Sequence, residues 1–276
     1  MTELREPLIF STAARDLEEV AAGLQMGVTL GESFSVAVMC FLNQGSAETN
    51  VQAKPHAHGE EVSLVLKGGA TVQTPSGDIS VNEGDLLLIP AGLPHGGFNH
   101  FPASGDCVRL NIVTPPRAEY VAAGGRPYYP VGRSEQPKEV QDSGAHTSRA
   151  VRRITMKEDC MDEIVSGSLY RKHLYGEAVS IAVLRSVEGQ TNPTSTEGHR
   201  HGEEIVYFLK GGCVLEVENN LYEVEEGQGV VIPRGFQHGG GRSRFVFNKG
   251  ECVRVAVATP PRRDYGPDLV ERRLIS

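Results

Sequence analysis

Apolar residues along this chain come in short bursts rather than in helical stripes. Runs rich in Val, Ile, Leu and aromatic residues occupy 34–42, 62–66, 70–74, 86–89 and 107–113, and each is cut off by Gly, Pro or Asn. A second series at 179–184, 205–209, 213–217, 230–232 and 252–258 follows the same order. Runs this short, bounded by turn formers, predict strands, and a succession of them predicts an all-β fold of the sandwich or barrel kind. Helix is scarce: the best candidate is 14–23, expected to fringe a barrel rather than to build it.

The two series are copies of one unit. His56-Ala57-His58-Gly59-Glu60-Glu61 through Gly69 recurs as His199-Arg200-His201-Gly202-Glu203-Glu204 through Gly212. The copies stay in register through Gly84, Pro90, Gly92 and His95 against Gly227, Pro233, Gly235 and His238, and converge again at Thr114-Pro115-Pro116-Arg117 against Thr259-Pro260-Pro261-Arg262. A repeat of this length sets the domain organisation: an N-terminal domain over 1–117, a Gly/Pro-rich surface linker over 118–150, and a C-terminal domain over 151–276.

Composition narrows the partners. Twenty-seven basic against 35 acidic residues give a net charge of −8 with no basic cluster to offset it, which argues against nucleic acid and anionic lipid. No apolar stretch approaches a membrane span, and the first residues lack a signal-peptide pattern, so a cytoplasmic protein is expected. The five cysteines are odd in number and widely spaced, which fits reduced core thiols better than a disulfide framework.

The chemistry sits in the repeat. Side chains two apart on a strand share a face, so His56 and His58 can meet one ion; Glu61 opens the next run, and His95 follows a Pro-x-Gly turn that can return it to the pair. His199, His201, Glu204 and His238 are the matching set. A lone His-x-His is more often an ordinary polar pair at a strand end, but the same four residue types at the same spacings in both copies favour two metal sites. His100, His146 and His173 have no repeat partner and are expected to be structural.

At these residues the sequence resembles the cupins, and its two copies resemble the bicupins, over nearly the whole chain. The family's second motif, G-(x)5-P-x-G-(x)2-H-(x)3-N, is met by Gly84, Pro90, Gly92, His95 and Asn99; the second copy matches through His238 but has Arg242 in place of the Asn. The first motif is met from His56 and His199 through Gly68 and Gly211, with Asn50 and Pro193 at the leading Gly positions and a gap one residue short before the Glu. That short gap makes Glu60 and Glu203 the fallback ligands. The resemblance implies tandem double-stranded β-helix barrels of the jelly-roll type and a metal-dependent enzyme.

Four protein ligands would saturate tetrahedral zinc, whereas an octahedral ion keeps two open positions, so Fe(II) or Mn(II) is favoured, with Ni(II), Co(II) and Zn(II) as alternatives, about two ions per chain. Three functions follow from the resemblance. The first is a dioxygenase acting on a small enolisable or aromatic oxygenated substrate, with Glu61 or Glu204 as catalytic carboxylate. The second is a redox-neutral isomerase, cyclase, lyase or decarboxylase, and the third a non-catalytic small-molecule sensor. Alternation from the ligands places Ser63 and Val65 beside Glu61, and Val206 and Phe208 beside Glu204, with Asn99, Arg109, Asn111 and Phe236 as further pocket candidates. The polar lining of site one suits orienting an oxyanion, which makes Glu61 the expected main catalytic group. A homo-oligomer fits the fold, without a decisive signal.

Overall fold

The computed structural model describes residues 6–43, 53–101, 105–129, 150–156, 162–165, 168–189 and 198–262. Most of the described chain is strand, paired in antiparallel fashion, and every apolar run named above coincides with a strand to within a residue at each overrun end. Two compact units result. One comprises 12–30 and 34–156, called barrel one; the other comprises 1–11, 31–33 and 157–276, called barrel two.

Barrel one is built on a seven-stranded sheet in the order β12 (Arg152–Thr155), β9 (Asp85–Ile89), β6 (Glu60–Lys67), β11 (Cys107–Thr114), β4 (Ser35–Phe41), β3 (Leu24–Leu30), β2 (Glu18–Ala21). A four-stranded sheet joins β5 (Ala53–His56), β10 (His95–His100), β7 (Gly69–Thr74) and β8 (Gly77–Asn82). Val65, Ala70, Val72, Val81, Leu87 and Ile89 form one buried cluster, so Val65 belongs to the core.

Barrel two repeats the large sheet as β1 (Leu8–Ser11), β19 (Gln228–Ile232), β16 (Glu203–Lys210), β21 (Glu251–Thr259), β15 (Ser180–Val187), β14 (Leu169–Tyr175), β13 (Asp162–Val165). Its smaller sheet holds β18 (Asn220–Val224), β17 (Gly212–Val217) and β20 (Arg244–Val246). Phe208, Val217, Val230 and Ile232 are buried together here, with Phe236 packed against them.

Three expectations are corrected. The division at 117 and 151 does not hold at the outer strands: β1, first in the chain, pairs with β19 of barrel two, and β12, after the linker, pairs with β9 of barrel one. Each covers an edge that would otherwise present unpaired backbone. The segment 118–129 lies over the surface as expected, but it is anchored rather than free of structure. It makes a 3-10 turn at Ala118–Tyr120 and packs Tyr120, 2% exposed, and Tyr129 against the Leu24, Met26 and Phe41 cluster. The rest of 118–150, apart from Ala150, lies outside the described residues.

The helix at 14–23 is only one 3-10 turn, Ala14–Asp16, followed by β2. Pairing of Glu18 with Met26 and Glu19 with Gln25 overrides helical preference, and Leu17 packs where a side chain on Gly27 would lie, 2.9 Å from its Cβ position. Cys40, Cys107, Cys213 and Cys252 are free, buried thiols. Among the described residues no helix is long and apolar enough to cross a membrane.

Candidate metal centres

Strand register assembles each cluster. In barrel one His95 lies directly opposite His56 on adjacent strands. In barrel two His199 and His238 form the equivalent bridge, with N–H···O bonds of 2.9 and 3.0 Å in the two directions. The Pro-x-Gly turn is then clipped to the second histidine: Gly92 N–H donates to His58 O and Gly235 N–H to His201 O, both at 2.8 Å. Gly92 and Gly235 take φ of 76° and 77°, a region open to glycine.

The residue after each His-x-His is also constrained. A Cβ at Gly59 or Gly202 would lie 2.1 or 1.9 Å from the carbonyl oxygen of Thr114 or Thr259, so only glycine lets the chain pass and deliver Glu61 and Glu204. The fallback ligands are thereby excluded in barrel two, where Glu203 points elsewhere and accepts the backbone N–H groups of Glu32 at 2.9 Å and Ser33 at 2.5 Å.

Ligating atoms of His199, His201, Glu204 and His238 all lie within 4.8 Å of one another, as do those of His56, His58 and His95. Glu61 joins the latter through Oε2, 3.0 Å from His58 Nε2 and 3.5 Å from His95 Nε2. Four imidazoles share one device: Nδ1 of His58, His95, His201 and His238 bonds a backbone carbonyl, of Gly59, Leu93, Gly202 and Phe236, at 2.9 to 3.0 Å. A carbonyl only accepts, so Nδ1 carries the proton and neutral Nε2 offers a lone pair inward.

His58 Nε2 and His95 Nε2 are buried without a hydrogen-bond partner; they converge on Glu61 but are not aligned to donate to it. Orphaned nitrogens converging with a carboxylate fit a divalent cation. Among the described residues two candidate metal-binding clusters are therefore present.

Electrostatics agree. With no ion between them, positive charge on the imidazoles takes its place: burial alone would push Glu61 and Glu204 up, yet His58 and His95, and His201 and His238, when charged, hold both well below the usual carboxylate range. Loss of surrounding water, then the neighbouring His238, pushes His199 down to about 4. For His95 burial disfavours charge, but Glu61 beside it prevails and raises the pKa.

The linings differ. In barrel one the inward face of β11 meets that of β6, placing Asn111 opposite Ser63 and Arg109 opposite Val65. Ser63 Oγ donates to Asn111 Oδ1 at 2.8 Å, while Arg109 donates to Ser63 Oγ at 3.2 Å and to Asn99 Oδ1 at 3.4 Å. The polar candidates of site one are thus bonded to one another. In barrel two Val206 lies opposite Ala256 and Phe208 opposite Arg254. Arg242, at the Asn position, turns outward to Glu216 at 2.7 Å.

Beside the second cluster opens a cavity of about 330 Å³, lined by Val206, Phe208, Leu215, Phe245, Ala256 and Arg262 among others. Barrel one continues β10 from His95 through Gly96, Gly97, Phe98 and Asn99 paired with β7, whereas in barrel two His238 is followed by Gly239, Gly240, Gly241 and Arg242, with φ of 76° and 96° at the first two glycines, and no matching strand is formed there.

Sequence reasoning missed Arg262, although its signal was the repeated Thr-Pro-Pro-Arg. Both arginines anchor alike, with Arg117 N–H on Ser35 Oγ and Arg262 N–H on Ser180 Oγ at 2.9 Å. Their side chains part. Arg117 is taken up by Glu119 at 2.5 Å and Tyr120 Oη at 2.9 Å. Arg262 Nη1 reaches the second cluster, 3.1 Å from His201 Nε2, 3.4 Å from His199 Nε2 and 3.9 Å from Glu204 Oε1. Of the unmatched histidines, His100 bonds Thr71 Oγ1 at 2.7 Å and His173 is buried beside Tyr175; His146 lies outside the described residues.

Residues 42–110 match the family model for the Cupin domain. Among solved structures, an oxalate decarboxylase–formate complex from Lactobacillus farciminis is 16% identical at a TM-score of 0.63, covering 100% of this chain and 92% of that one. AerE from Microcystis aeruginosa is 15% identical at 0.59, covering 88% and 95%. A Bacillus subtilis oxalate decarboxylase described by its Mn(II) centres is 14% identical at 0.60, covering 94% and 78%. A comparison with curated proteins gave no match. Such identities speak for fold alone: residues 42–110 match the Cupin domain model, and the chain shares the fold of these solved structures over most of its length.

Proposed function

We propose that the protein is a metal-dependent, redox-neutral enzyme, a lyase of the decarboxylating kind or an isomerase, whose chemistry takes place in barrel two. The observation that carries this reading is the placement of the Arg262 guanidinium 3.1 Å from His201 Nε2 and 3.9 Å from Glu204 Oε1, at the head of the cavity. Those imidazole lone pairs pass to an ion when one is bound, which leaves the Arg262 charge beside the cluster, where it favours negative charge gathering on substrate oxygens, as loss of CO2 or enolisation requires.

A divalent ion held by His199, His201, Glu204 and His238 would supply Lewis-acid polarisation of a substrate carbonyl or carboxylate. Mn(II) is the first choice, since one similar structure is described by its Mn(II) centres. The chain's own groups do the rest. Oε2 of Glu204 faces the imidazoles, 2.9 Å from His238 Nε2 and 3.2 Å from His201 Nε2, while Oε1 faces Arg262. Held ionised, that carboxylate accepts a proton rather than donating one. The apolar wall excludes water from the developing charge.

Dioxygenation gives way as first choice, because oxalate decarboxylases are among the similar structures and the site's arginine suits anion stabilisation without an oxidant. The site assignment also moves from Glu61 to Glu204: the polar groups expected to orient an oxyanion in barrel one are occupied with each other. The test is turnover of a panel of 2-oxo and 3-oxo acids by Mn(II)-loaded protein with and without oxygen, read by mass spectrometry. Equal product in both atmospheres is expected; product only with oxygen would restore the dioxygenase.

A further inference from the structure

The sheet face that carries Glu61 can be followed across barrel one by register. Directly opposed residues on adjacent strands share a face, so Glu61, Ser63 and Val65 of β6 lead through Asn111 and Arg109 of β11 to Ala37 and Met39 of β4 and on to Met26 of β3. On this face Leu24, Met26, Ala37, Met39, Phe41 and Cys107 form the buried cluster that receives Tyr120 and Tyr129. Both rings therefore lie on the ligand side of the sheet. Burial pushes both hydroxyls up in pKa, and Arg117 and Glu61 act on both as well, with Arg109 acting on Tyr129, which puts the rings within the field of the ligand carboxylate. The segment holds them there: Arg117 donates to Tyr120 Oη at 2.9 Å, Tyr128 N–H donates to Tyr120 O at 2.7 Å, and Val121 bridges Pro127, while the tip from Ala123 to Arg126 stays in solvent.

We propose that 118–129 is a strap that closes barrel one, with Tyr129 as the residue that decides what reaches its ion: the ring stands where the body of a substrate would stand, so this site keeps an ion and admits no organic ligand. The repeat supports the placement. In barrel two the cavity is bordered by Leu184, Arg254 and Ala256, and by register and repeat their counterparts in barrel one are Met39, Arg109 and Asn111. Tyr129 packs against the cluster that contains Met39, and so fills on this side what is cavity on the other. Cover over the two clusters differs in the same sense. His56 is half-buried and the His58 side chain 8% exposed, whereas His199 is exposed and the His201 side chain 13% exposed. A site whose ion is held behind a buried aromatic ring exchanges it only when the segment carrying that ring opens locally.

Stopped-flow release of Mn(II) from the full chain, loaded at both clusters, into excess pyridylazoresorcinol as a chromogenic chelator tests this without turnover. Two phases are expected from the unaltered protein, the slow one absent in His56→Ala with His58→Ala and independent of chelator concentration, because the chelator waits for the strap to open. Tyr129→Ala should speed that phase by about tenfold or more and make it rise with chelator concentration, leaving the fast phase as it was. Tyr129→Phe, which keeps the ring, should change neither phase. The free side-chain analogue p-cresol should bind Tyr129→Ala in isothermal titration and restore slow release, with circular dichroism confirming the fold of each variant. Equal release from both barrels of the unaltered protein, a slow phase that persists when His56 and His58 are replaced, or a slow phase unmoved in Tyr129→Ala would each overturn the proposal. Acceleration without dependence on chelator concentration would overturn it too, since it marks a weakened site rather than an opened one. None of these readings depends on which barrel turns substrate over.

Discussion

Barrels one and two carry the same ligand frame and opposite interiors. The frame depends on things the backbone fixes: His opposite His in register, a glycine where a Thr carbonyl comes too close, and Nδ1 pinned to a main-chain carbonyl. The interior depends on side chains that each barrel varies independently, Ser63 against Val206 and Asn111 against Ala256. The difference teaches that a repeated metal motif reports where an ion can sit, while the residues one and two pairs further along the same strands decide whether a substrate can join it.

The largest expected effect breaks the two barrels apart. His199→Ala with His201→Ala should lower metal content from about two ions per chain to about one and reduce turnover to background, whereas His56→Ala with His58→Ala should remove one ion and leave most of the turnover. Elemental analysis alongside anaerobic kinetics checks both. Loss of turnover in the barrel-one mutant at full occupancy of the second site would end the division of labour.

The shared frame can be attacked directly. Gly59→Ala and Gly202→Ala each force a Cβ to within 2.1 and 1.9 Å of a backbone oxygen. A loss of more than about 2 kcal/mol in urea unfolding is expected for each, with metal lost from the affected barrel only. The interiors are sharpened by Asn111→Ala, which takes the partner from Ser63 Oγ in a buried network. A cost of about 1–3 kcal/mol is expected, without change in metal content or turnover. A collapse of turnover there would return the chemistry to barrel one.

The smallest effect is a pH dependence of the metal-free protein. His199 is depressed to about 4, so between that value and the ordinary 6.5 the unfolded chain binds more protons than the folded one. Stability contributed by this group is therefore present above about 6.5 and lost as pH falls towards 4, and His199→Asn should flatten that limb in thermal melts. An unchanged slope would show that His199 is not a source of it. The depressed Glu61 and Glu204 act in the same direction at lower pH.

Much of this was legible in the sequence, because strand runs and ligand spacings are local and the repeat doubled each signal. What escaped was set by tertiary partners. Leu8–Ser11 and Arg152–Thr155 are four-residue strands with no period of their own, and only the open edges of β19 and β9 determine where they go. Arg117 and Arg262 end identical motifs and are followed alike, by Glu119-Tyr120 and by Asp264-Tyr265; Glu119 and Tyr120 draw Arg117 away from its cluster, whereas Asp264 and Tyr265 lie outside the described residues. The polar lining of barrel one was visible residue by residue, but mutual satisfaction among Ser63, Arg109, Asn99 and Asn111 needed their distances.

The exchanged strands also set a schedule for the growing chain. Barrel one receives its last edge strand when Arg152–Thr155 is made, soon after its other strands, and is complete while barrel two is still being translated. Leu8–Ser11 precedes its partner, Val230 and its neighbours, by roughly 220 residues, a wait on the order of 10–40 s at ordinary elongation rates. For that interval the backbone groups that β1 gives to β19 have no partner in the finished sheet, and such an edge is one that another strand can pair with.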